Sequence, residues 1–258
     1  MLSEKRGYAS PLAMTLEQSR MKRETLDAMM AAIDEYLPVF RKYLRKKGEM
    51  LGHANGLPWY DLFAPLGKAD KTYSIEEAKQ YLIDTFTKLT PEMADLMREA
   101  FENGWIDFYP RKGKEGGAFC AGAMWLKQSR ILTNYDGYFG SVDTLAHELG
   151  HAFHNRQIEN HAPLNQDYPM PVAETASTFN EVHLGKAVRT EASGEELLNL
   201  LENDIKEQTQ CIVDIYSRYL FETAVFEQSQ NKFLMADDLK QIMLDAQKKT
   251  YGDGLDPE

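Results

Sequence analysis

The segment His147-Glu148-Leu149-Gly150-His151 constrains this chain more than any other feature of its sequence. On an α-helix, two histidines at this spacing lie about 40° apart around the axis, so both imidazoles project from one face. Such a pair can hold one Zn²⁺, and the glutamate beside it can take a proton from a zinc-activated water. Because a short pattern also arises by chance, its surroundings must support the interpretation.

The residues around this segment predict a helix with one apolar face. Ser141 suits the N-cap, and Asp143 places a negative charge in the first turn. The polar residues of the motif lie off the apolar stripe, and buried polar groups without partners are costly. A metal site in a cleft explains them, and the alternative is an ordinary helix with hydrogen-bonded core histidines. The stripe consists of Val142, Leu145, Ala146, Leu149, Ala152 and Phe153.

A third metal ligand is expected downstream, because catalytic zinc usually takes three protein ligands and leaves one position open. Pro171 suits the first turn of a second helix, and Glu174 follows it among apolar neighbours. Glu174 is therefore the candidate ligand. The alternatives are that Glu174 is a solvated helix position, and that His154, one turn beyond His151, is the ligand instead.

Glu181 is a candidate for orienting one of these ligands. It follows Glu174 by two helical turns and therefore shares its face. A carboxylate placed there could accept a hydrogen bond from a ligating histidine, as partners of metal-bound imidazoles often do. The alternative is a glutamate on a solvated face.

Two of these segments carry a resemblance to a known family. Residues 147–154 read H-E-L-G-H-A-F-H and residues 173–181 read A-E-T-A-S-T-F-N-E. Both resemble the zinc-helix and third-ligand motifs of the oligoendopeptidase F family, the bacterial branch of the thimet-type zinc metallopeptidases. The resemblance implies that His147, His151 and Glu174 hold one Zn²⁺ per chain and that Glu148 is catalytic. Weaker similarity extends it from about Tyr8 to the end, at residues 59–62, 117–119, 134–135 and 217–222.

The resemblance also implies that parts of the family's usual chain have no counterpart here. Members carry an N-terminal helical region before the matching part. After a segment like residues 251–254 they continue into a stretch bearing His and Tyr, which is thought to hold the substrate and stabilise the oxyanion. We therefore expect residues 1–258 to form a single catalytic domain without those two regions, as a fragment or natural truncation.

Composition excludes several other classes of protein. The net charge of −11 argues against a nucleic-acid partner, since phosphate binding needs clustered Lys and Arg. Charges recur throughout the first thirty residues, so we expect no signal peptide and no membrane span. With only Cys120 and Cys211, no disulfide framework is predicted, and a reducing cytoplasm is the expected location.

The remaining pattern predicts a mainly α protein, a multi-helical zincin-type catalytic domain. One long helix is expected over Leu12 to Lys47, bent at Pro38. Further helices are expected from Ser74 (with a capping box to Glu77), from Thr90, over Glu195 to Gln230 as a pair, and over Ala236 to Thr250. Residues 106–110, 118–122 and 130–135 are predicted to form a small antiparallel sheet beside the zinc helix.

That sheet suggests how a substrate could be held. An extended peptide can add to an exposed strand edge through backbone hydrogen bonds, and small residues let it approach closely. Gly117, Ala118 and Phe119 are therefore candidate substrate contacts. The alternative is a tight turn between strands, which needs glycine in any case.

Two hypotheses for function follow. The first is a zinc-dependent endopeptidase that hydrolyses short peptides, with zinc-activated water and Glu148 as general base. The second is a zinc-binding fragment, catalytically impaired, that folds and oligomerises without turnover. A homo-oligomer is compatible with either hypothesis, since a peptide cleft that lacks the two regions described above is expected to expose apolar surface.

Overall fold

The computed structural model describes residues 2–66 and 71–256. The chain divides into two compact units. The terminal unit comprises Met1–Lys68 and Glu195–Glu258, and the central unit comprises Ala69–Gly194. Each unit has its own apolar core. The single catalytic domain expected over residues 1–258 stays a prediction.

The described residues are mainly helical, which confirms the predicted fold class. In the described part of the chain, no helix is long and apolar enough to cross a membrane. The helices are α1 (Leu2–Lys5), α2 (Pro11–Gln18), α3 (Arg23–Leu51), α4 (Ile75–Thr87), α5 (Pro91–Glu102), α6 (Phe139–Ile158), α7 (Met170–Ala173), α8 (Thr175–Glu191), α9 (Gly194–Thr209), α10 (Ile215–Ser229) and α11 (Ala236–Tyr251).

The terminal unit is built from α1 to α3 and α9 to α11. The single helix predicted over Leu12 to Lys47 is wrong, because α2 ends before Arg20, whose φ of +53° is left-handed and cannot continue a helix. Helix α3 continues through Pro38. A π-helical segment, Gln210–Asp214, joins α9 to α10. The predicted pair is therefore one unbroken helical run.

The central unit holds the larger core, packed among α4, α5, α6 and the sheet. Helix α4 begins with the predicted capping box: Ser74 Oγ accepts from the Glu77 backbone N–H, and the Glu77 carboxylate accepts from the Ser74 backbone N–H. Helix α5 begins at Pro91, as expected. The fully buried side chains of this core include Leu82, Phe86, Met97, Leu145, Leu149 and Leu184.

The sheet has three strands, β1 (Ile106–Asp107), β2 (Phe119–Ala123) and β3 (Gln128–Leu132), in the order β1-β3-β2. It is mixed rather than wholly antiparallel. Strands β2 and β3 are antiparallel because a short helical turn, Met124–Leu126, joins them directly. Strand β1 pairs with the other edge of β3 and runs parallel to it, with Ile106 beside Ile131. A longer connection leads from β1 to β2. Strand β2 is thus an edge strand.

Helices α6 and α8 pack together and carry the motif residues. Helix α6 begins at Phe139, so Ser141 is not its N-cap. Instead Ser141 Oγ donates to the Asp136 carboxylate and holds the preceding loop. The second predicted helix is divided at Glu174, which separates α7 from α8 with φ −85° and ψ 2°.

Candidate active site

Helix α6 presents its polar residues to one side and its apolar residues to the core. Val142, Leu145 and Leu149 are fully buried in the central unit. The imidazoles of His147 and His151 lie edge to face on the other side, with ring centres 4.8 Å apart. The helical spacing of the sequence motif therefore produces a shared histidine face.

Three side-chain atoms converge at this face. The Nε2 atoms of His147 and His151 are 3.2 Å apart. Glu174 Oε2 lies 3.3 Å from His147 Nε2 and 3.2 Å from His151 Nε2. Helices α6 and α8 thus bring together the three predicted metal ligands. Among the described residues, these three form the group whose donor atoms are close enough to share a metal ion.

The donor set fits a zinc ion in both chemistry and spacing. Imidazole nitrogen and carboxylate oxygen are both zinc donors, and three protein ligands are typical of catalytic sites. Tetrahedral ligands about 2.0–2.1 Å from zinc are separated from one another by roughly 3.3 Å. The distances between these three atoms have that value.

Glu181 lies against the first histidine. Its Oε1 atom is 2.7 Å from His147 Nδ1, and a carboxylate can only accept, so Nδ1 carries the proton and Nε2 faces the cluster. Burial lowers the pKa of His147, but the hydrogen bond to Glu181 and the charges of Glu181, Glu148 and Glu174 raise it by more. Burial lowers the pKa of His151, so this imidazole is neutral at pH 7.

Glu148 differs from its neighbours in its burial and in its hydrogen bonding. It is only 4% exposed, and its Oε2 atom has no partner among the described residues. Burial raises the pKa of Glu148 to about 7; His147 opposes the shift, while Glu174 and Glu181 add to it. A buried carboxylate poised near neutrality has the property expected of a general base.

The surroundings of Glu174 differ from the sequence-based expectation. Its side chain is 55% exposed, so the expectation that it lies in apolar surroundings is wrong. The apolar residues Val172 and Phe179 are themselves partly exposed. Its carboxylate is nonetheless held, because Ser177 Oγ donates to Oε2 at 2.7 Å.

A cavity of about 300 Å³ opens over the cluster. Three of its lining residues were missed from the sequence: Cys120, Asn155 and Tyr168. Asn155 could have been found, because it lies one helical turn after His151 on the same face. No sequence signal pointed to Cys120 or Tyr168. The remaining lining residues are Ala118, Phe119, His147, Glu148, His151 and Glu174.

The three predicted substrate contacts are not equivalent. Ala118 and Phe119 line the cavity, whereas Gly117 lines a neighbouring one. Gly117 has φ of +78°, the conformation of a turn glycine, and Asn134 Nδ2 donates to its carbonyl oxygen. The strand begins only at Phe119, one residue later than predicted.

His154, the spare ligand candidate, lies outside the donor cluster. Its ring stacks on Tyr168 with centres 4.4 Å apart. It lines a separate apolar cavity of about 470 Å³, together with Leu89, Met93, Phe153, Val172 and Phe179.

Comparisons with known proteins test the family resemblance. A profile of peptidase family M3 matches residues 2–258. Oligopeptidase PepF of Bacillus subtilis (strain 168) is 30% identical over 252 residues, which cover 96% of this chain and 37% of that protein. Chromosomal oligoendopeptidase F of Lactococcus lactis subsp. cremoris is 26% identical over 250 residues, covering 96% of this chain and 41% of that protein.

Structural similarity supports the same assignment at the level of the fold. The structure of PZ peptidase A with an inhibitor has a TM-score of 0.78 at 19% identity, and covers 100% of this chain and 46% of that chain. The present chain thus spans less than half the length of the relatives it matches. The resemblance to the oligoendopeptidase F family is confirmed, and the chain belongs to peptidase family M3.

Proposed function

We propose that this chain is the catalytic region of a zinc-dependent oligopeptidase that hydrolyses short peptides. One observation carries the proposal: His147 Nε2, His151 Nε2 and Glu174 Oε2 converge within 3.3 Å of one another beside the unpartnered carboxylate of Glu148. An ordinary packed helix does not leave a buried carboxylate and two imidazoles facing a cavity, because unpaired polar groups are costly.

The three converging atoms would hold one Zn²⁺ per chain, with Glu181 keeping the His147 ring in the tautomer that exposes Nε2. A bound zinc ion polarises a carbonyl oxygen and makes water acidic enough to ionise near pH 7. Both histidines project from α6 and the carboxylate comes from the junction that immediately precedes α8, so packing between α6 and α8 sets the site.

Glu148 has the role of general base. Its buried carboxylate faces the same cavity as the two histidines, and its raised pKa lets it accept a proton from the attacking water. The same group then returns that proton to the leaving amine nitrogen as the peptide C–N bond breaks. Glu148 thus moves one proton from water to amine and is restored in each turnover.

The substrate is proposed to be an extended peptide that lies along the edge strand β2. This strand pairs with β3 on one side, and Ala118 and Phe119 at its start line the cavity that contains Glu148. Backbone hydrogen bonding along a strand edge depends little on side chains, which suits an enzyme that acts on many peptides. The relatives named oligopeptidase and oligoendopeptidase support short peptides as the substrate class.

The second candidate is a zinc-binding fragment without turnover, able to form homo-oligomers. The residues that line the cavity favour this second candidate in one respect, because few of them could stabilise an oxyanion. Among the described lining residues, the neutral N–H and O–H side-chain donors other than the motif histidines are the Tyr168 hydroxyl and the Asn155 amide, and none of these residues is Lys or Arg. The amide already donates to Ser129 Oγ and Cys120 Sγ. A reducing cytoplasm remains the predicted location for either candidate.

The deciding experiment measures cleavage of a quenched fluorescent oligopeptide mixture by the zinc-loaded chain. Glu148→Gln serves as the blank, because it keeps the shape of the side chain and removes the base. Turnover above this blank that a zinc chelator abolishes would support the oligopeptidase. Binding of one zinc per chain without turnover would support the fragment. A chain that binds no zinc would contradict both.

A further inference from the structure

We propose that Ser177 is a positioning residue that holds the Glu174 carboxylate where it can act as the third metal ligand. This inference rests on the proposed function, because it concerns the metal affinity of the same site. Its starting point is that Glu174 is the most weakly constrained of the three donors: its side chain is 55% exposed, against 25% for His147 and 17% for His151.

An exposed glutamate has several rotatable bonds and samples many rotamers, so fixing it in one of them costs conformational entropy. Glu174 also stands at the junction between α7 and α8 rather than inside a regular helix. Something outside its own backbone therefore has to select the rotamer that points Oε2 at His147 and His151.

Ser177 is placed to make that selection. Its Oγ atom lies 2.7 Å from Glu174 Oε2 and 3.0 Å from the Glu174 carbonyl oxygen. The carbonyl already accepts from the backbone N–H of Thr178, whereas the carboxylate oxygen is nearer to the Ser177 hydroxyl and carries the negative charge. The single Ser177 hydroxyl proton therefore goes to the carboxylate, as a charge-assisted hydrogen bond.

Ser177 is itself held rigidly. It is fully buried, and the α6 backbone meets it at Gly150. A Cβ atom on Gly150 would lie 2.7 Å from Ser177 Cα and 2.7 Å from the Ala176 carbonyl oxygen, closer than real atoms approach. The glycine of the motif thus lets α8 touch α6, and Ser177 stands at the point of contact.

The contact between Gly150 and Ser177 then fixes both parts of the donor cluster, the two histidines on α6 and the carboxylate of Glu174. Gly150 lies between the two histidines in sequence, and Ser177 reaches from the contact to Glu174 Oε2. The spacing between the carboxylate oxygen and the two imidazole nitrogens is consequently set by one hydrogen bond from a buried hydroxyl. Partners of this kind typically contribute a factor of 10–100 to metal affinity.

The test is the zinc affinity of purified chains, measured by competition with a chromophoric chelator. Ser177→Ala removes the hydroxyl and should weaken zinc binding about tenfold. Thr178→Ala is the matched control: it removes a neighbouring hydroxyl on the same helix turn that bonds the Glu174 carbonyl but not the carboxylate. We expect Thr178→Ala to bind zinc within about twofold of wild type.

A second pair of variants tests whether the effect passes through Glu174. In a Glu174→Ala background, Ser177→Ala should cause no further loss of affinity. Equal losses in Ser177→Ala and Thr178→Ala, or a tenfold further loss in the Glu174→Ala background, would overturn the proposal. If Glu174→Ala binds too weakly to measure, the comparison with Thr178→Ala decides. Thermal unfolding of the zinc-free chains shows whether either variant has lost its fold.

Failure of this inference is distinguishable from failure of the proposed function. A wild-type chain that binds no zinc contradicts the metal site itself. A wild-type chain that binds zinc, with Ser177→Ala folded and binding equally well, leaves the metal site intact and removes only the role of Ser177.

Discussion

The terminal and central units each bury a glutamate, and they satisfy it in opposite ways. In the terminal unit Glu202 accepts from Lys47 Nζ at 2.8 Å and from the Tyr43 hydroxyl at 2.6 Å. Lys47 is fully buried and also donates to the Leu62 carbonyl oxygen. The positive charge of Lys47 balances the negative charge of Glu202, and each hydrogen-bond donor of this cluster has an acceptor within it.

In the central unit Glu148 is buried to a similar degree, but it has no such partner among the described residues. Its neighbours along the cavity are donor atoms of His147, His151 and Glu174, which converge on one another. Among the described residues no Lys or Arg lines this cavity, so burial makes the ionised form of Glu148 costly. Burial alone therefore does not indicate a functional carboxylate, and the proposed role of Glu148 rests on burial without such a partner.

The largest expected effect comes from removing the charge of Glu148. Glu148→Gln should lower peptide turnover by about 10³-fold or more, because general bases contribute 10²–10⁴-fold and the other carboxylate and the imidazoles that line the cavity are the proposed zinc ligands. Zinc content should stay at the wild-type level. Steady-state hydrolysis and metal analysis of the same preparation check both. A variant with wild-type turnover would remove Glu148 from the chemistry.

The matching change in the terminal unit should affect stability instead. Lys47→Met leaves Glu202 buried with one partner, and breaking a buried ion pair typically costs about 3–5 kcal/mol. We expect a lower urea midpoint with an unchanged slope. Replacing both residues, as Lys47→Met with Glu202→Leu, should recover much of the loss, since no buried charge remains. An unfolding midpoint unchanged in the single variant would contradict the assigned role of the pair.

A smaller effect is expected at Glu181, which has a protein partner, as Glu202 does, and lies beside the donor cluster, as Glu148 does. It pairs with a protein group, His147 Nδ1, yet it serves the donor cluster. Glu181→Gln should weaken zinc binding roughly tenfold and leave the free energy of unfolding almost unchanged, because the side chain is 36% exposed. Chelator competition and urea unfolding separate the two quantities. A loss of stability without a change in zinc affinity would instead make Glu181 a packing residue.

The sequence predicted the α6 side of the site well because a helix has a fixed period. His147, Glu148 and His151 share a face for the same geometric reason in any α-helix, and the packed stripe from Val142 to Ala152 confirms the predicted core face. The capping box at Ser74 was likewise predicted from local chemistry that needs no tertiary contact.

What the sequence did not reveal depends on contacts between elements. The close approach of α8 to Gly150, which involves the same Ser177 that donates to Glu174, is a contact between helices that the helical period does not report. The parallel pairing of β1 with β3 depends on which edge of the sheet was left open. The break at Arg20 was missed because the apolar pattern of the predicted long helix does not report a left-handed residue.

The last comparison separates a residue that lines the cavity from one that is reactive there. Cys120 lines the cavity beside Glu148, yet burial raises the pKa of its thiol to about 12, with the charge of Glu148 adding to the shift and Ser129 opposing it. At pH 8 such a thiol holds roughly a thousandfold less thiolate than an ordinary cysteine. Cys211 is exposed in the terminal unit.

We therefore expect one fast and one slow thiol in alkylation at pH 8, and only the slow one in Cys211→Ser. Full reaction of both thiols after unfolding in urea provides the control for total content. The Asn155 amide donates to Cys120 Sγ only at 3.9 Å, and the hydrogen bond with Ser129 lowers the thiol pKa, so the inertness of Cys120 depends on burial rather than on a partner. Fast labelling of the folded Cys211→Ser chain would show that water reaches Cys120 more freely than its burial implies. It would also weaken the contrast between Glu148 and the buried Lys47–Glu202 ion pair.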